Sequence, residues 1–179
     1  ASHAYLVAGD LHDIGKMGSY HLTAFSVGEV DGHRYAALKA ADACLKRRSA
    51  GRLLHAPKIP AFLDDYAFLL SGCLALLEAT GQGRWLMEAQ GLASDLEKHF
   101  WDASGWGFFF TADDHEKLIA RTKHPGDNAI PSGNSVAAEA LVRLSSLTGD
   151  RKWREMGEKT LKVFAPFFAR QPRGFGEML

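Results

Sequence analysis

Two adjacent carboxylates, Asp64 and Asp65, follow a loop and open an apolar helix. Paired carboxylates can act as general acid and base on a glycosidic or hemiacetal oxygen, if burial separates their pKa values. They could equally serve the helix, with Asp64 as its cap and Asp65 favoured by its positive end. Tyr66, next in line, could hydrogen-bond a sugar hydroxyl or simply pack. A second polar cluster is Asp127 to Ser135, DNAIPSGNS, which runs straight into another apolar helix. Pro131 and Gly133 shape its backbone, and Asn134 or Ser135 is placed to cap the helix. Such a helix start offers unpaired N–H groups and partial positive charge. Asp127, Ser132 and Asn134 could therefore bind polyol hydroxyls, or hold the turn together. Arg121 and Lys123, just upstream, could contact an anionic sugar or pair with Asp127. Trp101, Trp106 and Phe108 to Phe110 could provide a stacking platform for sugar rings, or could be core.

Other chemistries find less support. His12–Lys16, HDIGK, matches the metal-binding His-Asp pair of HD phosphohydrolases. That site needs further ligands, and nothing around His21, His33 or His55 supplies the set. Asp10–Gly15, DLHDIG, matches the D-x-H-x-x-G pattern of cobalamin-binding domains, but the alternating α/β chain and the later Gly-Gly are missing. Both read as chance matches in a variable connection. No phosphate-cradling glycine loop, zinc-spaced cysteine pair or G-x-S-x-G nucleophile elbow occurs. No metal or cofactor is called for. Cys44 and Cys73 lie in apolar helical patterns and read as buried, reduced thiols.

Composition narrows the class. The chain has 179 residues, 46% hydrophobic, with 21 Lys+Arg against 21 Asp+Glu. Zero net charge argues against a nucleic-acid or anionic-membrane surface. The longest apolar run, Ala67 to Ala79, is shorter than the ~20 residues of a membrane span. With no visible signal peptide, the expectation is a cytoplasmic protein.

The elements that would position these residues are helical. Periodicity predicts helices at about Ser19–Gly28, His33–Arg47, Asp64–Thr80, Arg84–Phe100, from the Asp127–Ser135 segment to Leu147, and Arg151–Arg170. Asp31-Gly32 reads as a break, Arg52–His55 as a short strand ended by Pro57 and Pro60, and Trp101–Thr111 as a glycine turn feeding an aromatic strand. Residues 1–18 are atypical. The breaks repeat: Asp31-Gly32-His33-Arg34-Tyr35, Thr80-Gly81-Gln82-Gly83-Arg84-Trp85, and Thr148-Gly149-Asp150-Arg151-Lys152-Trp153. Each is a glycine stop, then a basic residue, then an aromatic opening the next helix. This is an internal repeat of helical hairpins. The leading helices are the more apolar and the following ones amphipathic, as two concentric helical layers require.

Four stretches then resemble one family: Lys58–Leu70, KIPAFLDDYAFLL; Leu76–Ala89, LLEATGQGRWLMEA; Phe100–Thr111, FWDASGWGFFFT; and Asp127–Asp150, DNAIPSGNSVAAEALVRLSSLTGD. It is the thioredoxin-domain-containing family of spermatogenesis-associated protein 20 and its bacterial relatives. The resemblance covers roughly residues 19–179. It implies an all-α fold, helical hairpins forming part of an (α/α)6 toroid, similar to six-hairpin glycosidases and N-acylglucosamine 2-epimerases. It also implies a single domain of about three hairpins that is a fragment of the ring. The opening departs from relatives, which carry a Trp-Asn-Gly-Leu-like stretch where this chain has Gly18–Leu22. The expected function is binding or processing of a carbohydrate in a central funnel, with Asp64, Asp65 and Asp127 catalytic. Tyr66, Trp106, Arg121, Ser132 and Asn134 are then the substrate contacts. The alternatives are a non-catalytic scaffold for a thioredoxin-like domain and, more remotely, a metal-dependent phosphohydrolase at His12 and Asp13. A half-ring would expose apolar flanks, so self-association is expected.

Overall fold

The computed structural model describes residues 31–115, 120–127, 130–168 and 176, with residues 31–35 and 168 described by backbone alone. The helix expected at Ser19–Gly28, the atypical segment 1–18 and the His12–Asp13 pair lie outside the described residues. The chain runs α1 (Asp31–Leu45), β1 (Arg48–Ser49), β2 (Arg52–Ala56), β3 (Ile59–Pro60), α2 (Leu63–Thr80), α3 (Arg84–His99), α4 (Gly133–Thr148) and α5 (Arg151–Phe168). Among the described residues, no helix is long and apolar enough to cross a membrane.

Helix α2 is the centre of the molecule. It is buried nearly all round, from Tyr66 to Leu76 without interruption, because its sequence offers no polar face. It packs against α1, α3 and α4, and α4 packs in turn against α5. The leading helices of the hairpins α2–α3 and α4–α5 therefore lie side by side, and each amphipathic partner covers one of them. Tyr66, Trp85, Phe100 and Phe108 are the largest fully buried side chains of the core between them.

The repeated breaks have a common physical form. Gly81 and Gly149 both adopt the left-handed conformation, at φ 67° and 75°, which ends a helix cheaply only in glycine. The preceding threonines turn back on their own helices, Thr80 Oγ1 to Leu76 O at 2.6 Å and Thr148 Oγ1 to Leu144 O at 2.8 Å. A cation then lies over the indole that starts the next helix. Arg84 Cζ is 3.9 Å from the Trp85 ring centroid, and Lys152 Nζ is 4.0 Å from that of Trp153.

Three boundaries differ from expectation. Helix α1 begins at Asp31, two residues before the expected His33. The strand at 52–56 belongs to a three-stranded antiparallel sheet of order β1-β2-β3, and Pro60 is part of β3, an edge strand where a proline costs no ladder bond. Ala50 and Gly51, both at positive φ, make the β1–β2 turn. The expected aromatic strand is reduced to one bridge, Trp101 to Phe108. Its backbone groups are divided among separate partners. Phe109 N donates to Phe100 O, Phe110 N to Thr122 O, and Leu63 N to Phe110 O. Phe108 N donates to the Asn134 side chain. An extended segment bonded in four directions cannot form a ladder.

Burial pushes the Cys73 thiol from 9.0 up to about 12. A raised acid stays protonated in the fold while the unfolded chain ionises. Cys73 therefore leaves stability intact below about pH 9 and subtracts from it as pH rises from there towards 12. A thiolate-directed reagent at pH 8 is expected to reach Cys73 only through unfolding, which burst titration with and without urea measures.

Candidate functional site

Helices α2 and α4 begin against one another. A Cβ on Gly133, the first residue of α4, would lie 2.2 Å from Asp64 Oδ1 and 2.8 Å from Leu63 Cγ. Asp64 is thus tucked against the start of α4 and is not the cap of its own helix. Asp65 takes the stabilising position: its Oδ2 accepts from Phe62 N at 2.8 Å, and both its oxygens lie 3.0 Å from His55 Nδ1. One carboxylate thereby ties β2 to the first turn of α2. Asp65→Ala is expected to cost about 1–2 kcal/mol, the range of a lost cap, with urea denaturation as the measurement.

At the start of α4 the cap is Ser132, not Asn134 or Ser135. Its Oγ accepts from Ser135 N at 3.1 Å and lies 2.7 Å from Ser135 Oγ. Asp127 Oδ1 accepts from Ser132 N at 2.8 Å and from Ser135 Oγ at 2.7 Å. The 127–135 segment therefore closes on itself around the helix start, where the helix's partial positive end favours a carboxylate. Asp127 and Asp64 both lie at the first turn of α4, the one at Ser132 and the other at Gly133.

The remaining sequence-derived candidates are held by the fold. Tyr66 is fully buried and its hydroxyl accepts from Leu53 N at 3.0 Å, while burial pushes the phenol pKa up. Asn134 is fully buried too. Its Oδ1 accepts from Phe108 N at 2.8 Å, and its Nδ2 donates to Phe108 O at 3.0 Å and His124 O at 3.3 Å. It imitates one rung of a β-ladder. Arg121 donates to Thr111 O at 3.0 Å and His99 O at 2.8 Å, with Cζ 4.2 Å from the Phe109 ring centroid. Its partners are carbonyls, not Asp127, and loss of solvation draws its pKa down. Lys123 donates to Asp102 Oδ2 at 2.7 Å and to the carbonyl of Trp106. That bond, with the N–H groups of Gly105 and Ser104, holds Asp102 well below the usual carboxylate range. Trp106 is exposed, at φ 56°, on the turn so fixed.

Sequence reading missed an open cleft beside the β2–β3 turn. About 560 Å³ in volume, it is lined by Lys58, Ile59, Pro60, Phe62, Thr111, Asp114 and His115. Phe62 stacks on Phe110 at 5.0 Å and contacts the His115 ring at 5.2 Å. Two prolines around Lys58 signalled only a loop, and residues some 50 positions apart gave no common pattern. A further cluster, His99, Asp113 and Asp114, has metal-ligand spacing. His99 Nδ1 bonds Asp113 at 2.7 Å, and Arg52 bonds Asp114 at 3.1 Å. For Asp113, burial acts upward and is outweighed by the His99 hydrogen bond and the charges of His99 and Arg121, which keep it ionised. Two guanidinium neighbours already supply these acids with positive charge.

No family model matches the chain. Over 124 residues, 69% of this chain, it is 39% identical to spermatogenesis-associated protein 20 of Rattus norvegicus and 38% identical to that of Homo sapiens. Over 105 residues it is 30% identical to uncharacterized protein B0495.5 of Caenorhabditis elegans. The likeness supports kinship with the spermatogenesis-associated protein 20 family. The match covers 16% of each mammalian protein, so the chain spans about a sixth of the length of these curated relatives.

Proposed function

We propose that the chain is part of an (α/α)6 toroid and binds a carbohydrate at the end where α2 and α4 begin. The observation that carries this reading is the convergence of Asp64 and Asp127 on one helix start, at Gly133 and Ser132. A carboxylate held by backbone at a helix end, as Asp127 is by Ser132 N, is a rigid acceptor for paired hydroxyls. The side-by-side leading helices, each with an amphipathic partner, support the toroid. In this reading Asp64 and Asp127 contact the sugar. Tyr66, Ser132, Asn134 and Arg121 act through the backbone they hold, and Asp65 acts through the loop it ties down. Self-association through the flanks of α1 and α5 belongs to the same proposal, and light scattering tests it.

A thermal-shift screen against monosaccharides and disaccharides tests the binding. A sugar that binds the folded chain raises Tm, and the rise is expected to vanish in Asp64→Asn while the sugar-free Tm stays near the parent value. An unchanged rise in both Asp64→Asn and Asp127→Asn would remove these residues from the site. One observation favours a second reading, a non-catalytic scaffold. The polar groups of Tyr66, Asn134 and Arg121 are engaged with the chain's own backbone. No Tm rise with any sugar, together with lowered sugar-free Tm in Asp127→Asn, is the result that reading expects.

A further inference from the structure

The cleft beside the β2–β3 turn has chemistry that the helix starts do not use. It continues into a second lobe of about 390 Å³, which shares Lys58, Pro60 and Asp114 with the first and adds Ser49, Arg52 and Leu54. The first lobe is apolar along Ile59, Pro60 and Phe62. The second is cationic.

Arg52 is the key group. Its Nη2 donates to Asp114 at 3.1 Å, and its guanidinium carbon lies 5.8 Å from the Tyr66 ring centroid. Its Nη1 is buried and has no hydrogen-bond partner among the described residues. A buried donor on a permanently charged group is costly to leave unpaired, so the Arg52 side chain, 18% exposed and lining the lobe, gains by turning toward an acceptor in the cleft. Lys58 stands at the tip of the turn with φ 66°, a conformation unusual for a side chain with a Cβ, and is exposed. No described residue accepts from its ammonium group. Thr111, 7% exposed, closes the wall on the apolar side. Asp114 balances one of the two cations, which leaves one positive charge uncompensated in the lobe.

We infer that this cleft binds a small organic carboxylate with an apolar body. The carboxylate sits between the Arg52 guanidinium and Lys58 Nζ, and the ring or alkyl part lies along Ile59, Pro60 and Phe62. Guanidinium and ammonium donors suit a carboxylate, and the adjoining apolar wall distinguishes such a ligand from a bare anion. The inference does not rest on the carbohydrate reading, whose contacts, Asp64 and Asp127, lie where α2 and α4 begin.

The test is an NMR titration of the purified protein with sodium benzoate, with benzyl alcohol and inorganic phosphate in parallel. Benzoate is expected to shift the amides of Lys58, Ile59, Phe62 and Thr111 saturably. Benzyl alcohol, which lacks the charge, is expected to bind about tenfold more weakly, as loss of a charge-assisted hydrogen bond implies. Phosphate, which lacks the apolar body, is expected to bind more weakly as well. Arg52→Gln should weaken benzoate about tenfold. Because Arg52 also holds Asp114, Lys58→Glu serves as the second variant: it is exposed, should leave Tm unchanged, and should weaken benzoate at least as far. Equal affinity for benzyl alcohol or phosphate, benzoate binding that survives Lys58→Glu, or no saturable shift in the millimolar range would each overturn the proposal.

Discussion

Asn134→Ala is expected to cost about 3–5 kcal/mol of stability, because each buried backbone group left without its hydrogen bond costs about 1–3 kcal/mol. The Asn134 side chain satisfies Phe108 N and Phe108 O at once and reaches His124 O besides. Phe108 is itself fully buried, so water cannot replace the lost partner without opening the core. For a domain of this size the loss corresponds to a fall in Tm of roughly 10 °C, read by calorimetry. Asn134→Asp gives a sharper version. A carboxylate could still accept from Phe108 N, but when ionised it cannot donate to the two carbonyls. Burial beside those oxygens raises its folded pKa above the unfolded value of about 3.9. The penalty is then smallest below about pH 4 and grows as pH rises towards the folded pKa. Urea midpoints for Asn134→Asp relative to the parent should converge in acid and separate at neutral pH. Parallel curves would mean that the side chain is not held between these backbone groups.

Gly157→Ala is expected to destabilise although it places the better helix former inside a helix. A Cβ at 157 would stand 2.8 Å from Ala138 O and 2.9 Å from Val142 Cγ2, so α5 would have to move away from α4. Backbone carbonyls do not swing aside, and such overpacking costs about 1–3 kcal/mol. Propensity returns at most about 1 kcal/mol of that. Gly91→Ala in α3 is the matched control. There a Cβ meets nothing within 4 Å, so propensity acts alone and stability should rise by about 0.5–1 kcal/mol. Urea denaturation of the two variants should therefore give opposite signs. The same sign in both would show that α4 and α5 are not packed as closely as 157 requires.

The helices were legible because their periodicity and stop signals are local. The apolar length of α2 and the twin Thr-Gly breaks lie within single windows of sequence, and each behaves in the fold as its chemistry dictates. The sheet was only half legible. Arg52–His55 has the composition of a strand, but β1 and β3 are two residues each, and only their pairing with β2 defines them. The aromatic segment misled because Phe108–Phe110 has strand-like composition, whereas its hydrogen bonds go to residues far along the chain. Asn134 shows why site prediction was harder still. Polar residues in a turn before a helix look alike whether they face a ligand or the backbone, and the deciding partner, Phe108, is 26 positions away. Asp65 carried a local signal, three residues after Phe62, but its pairing with His55 did not. The cleft had no local signal at all, since Arg52 and Asp114 meet only after the hairpin folds onto the 108–115 segment.

The connections after α2 and α4 are two or three residues long and closed by left-handed glycine, while those before α2 and α4 hold all the remaining length. The molecule is therefore lopsided in what it can tolerate. One end is a row of fixed joints, where an added residue would lift a cation off its indole and change the pitch of the hairpin. The other end can take up new sequence at its exposed turns, around Ala50–Gly51 and Ala103–Gly105, clear of the buried Leu53, Phe100 and Phe108. Lineages that diverge in what they recognise should accordingly differ in the lengths of the 46–62 and 100–132 segments and keep the glycine joints the same.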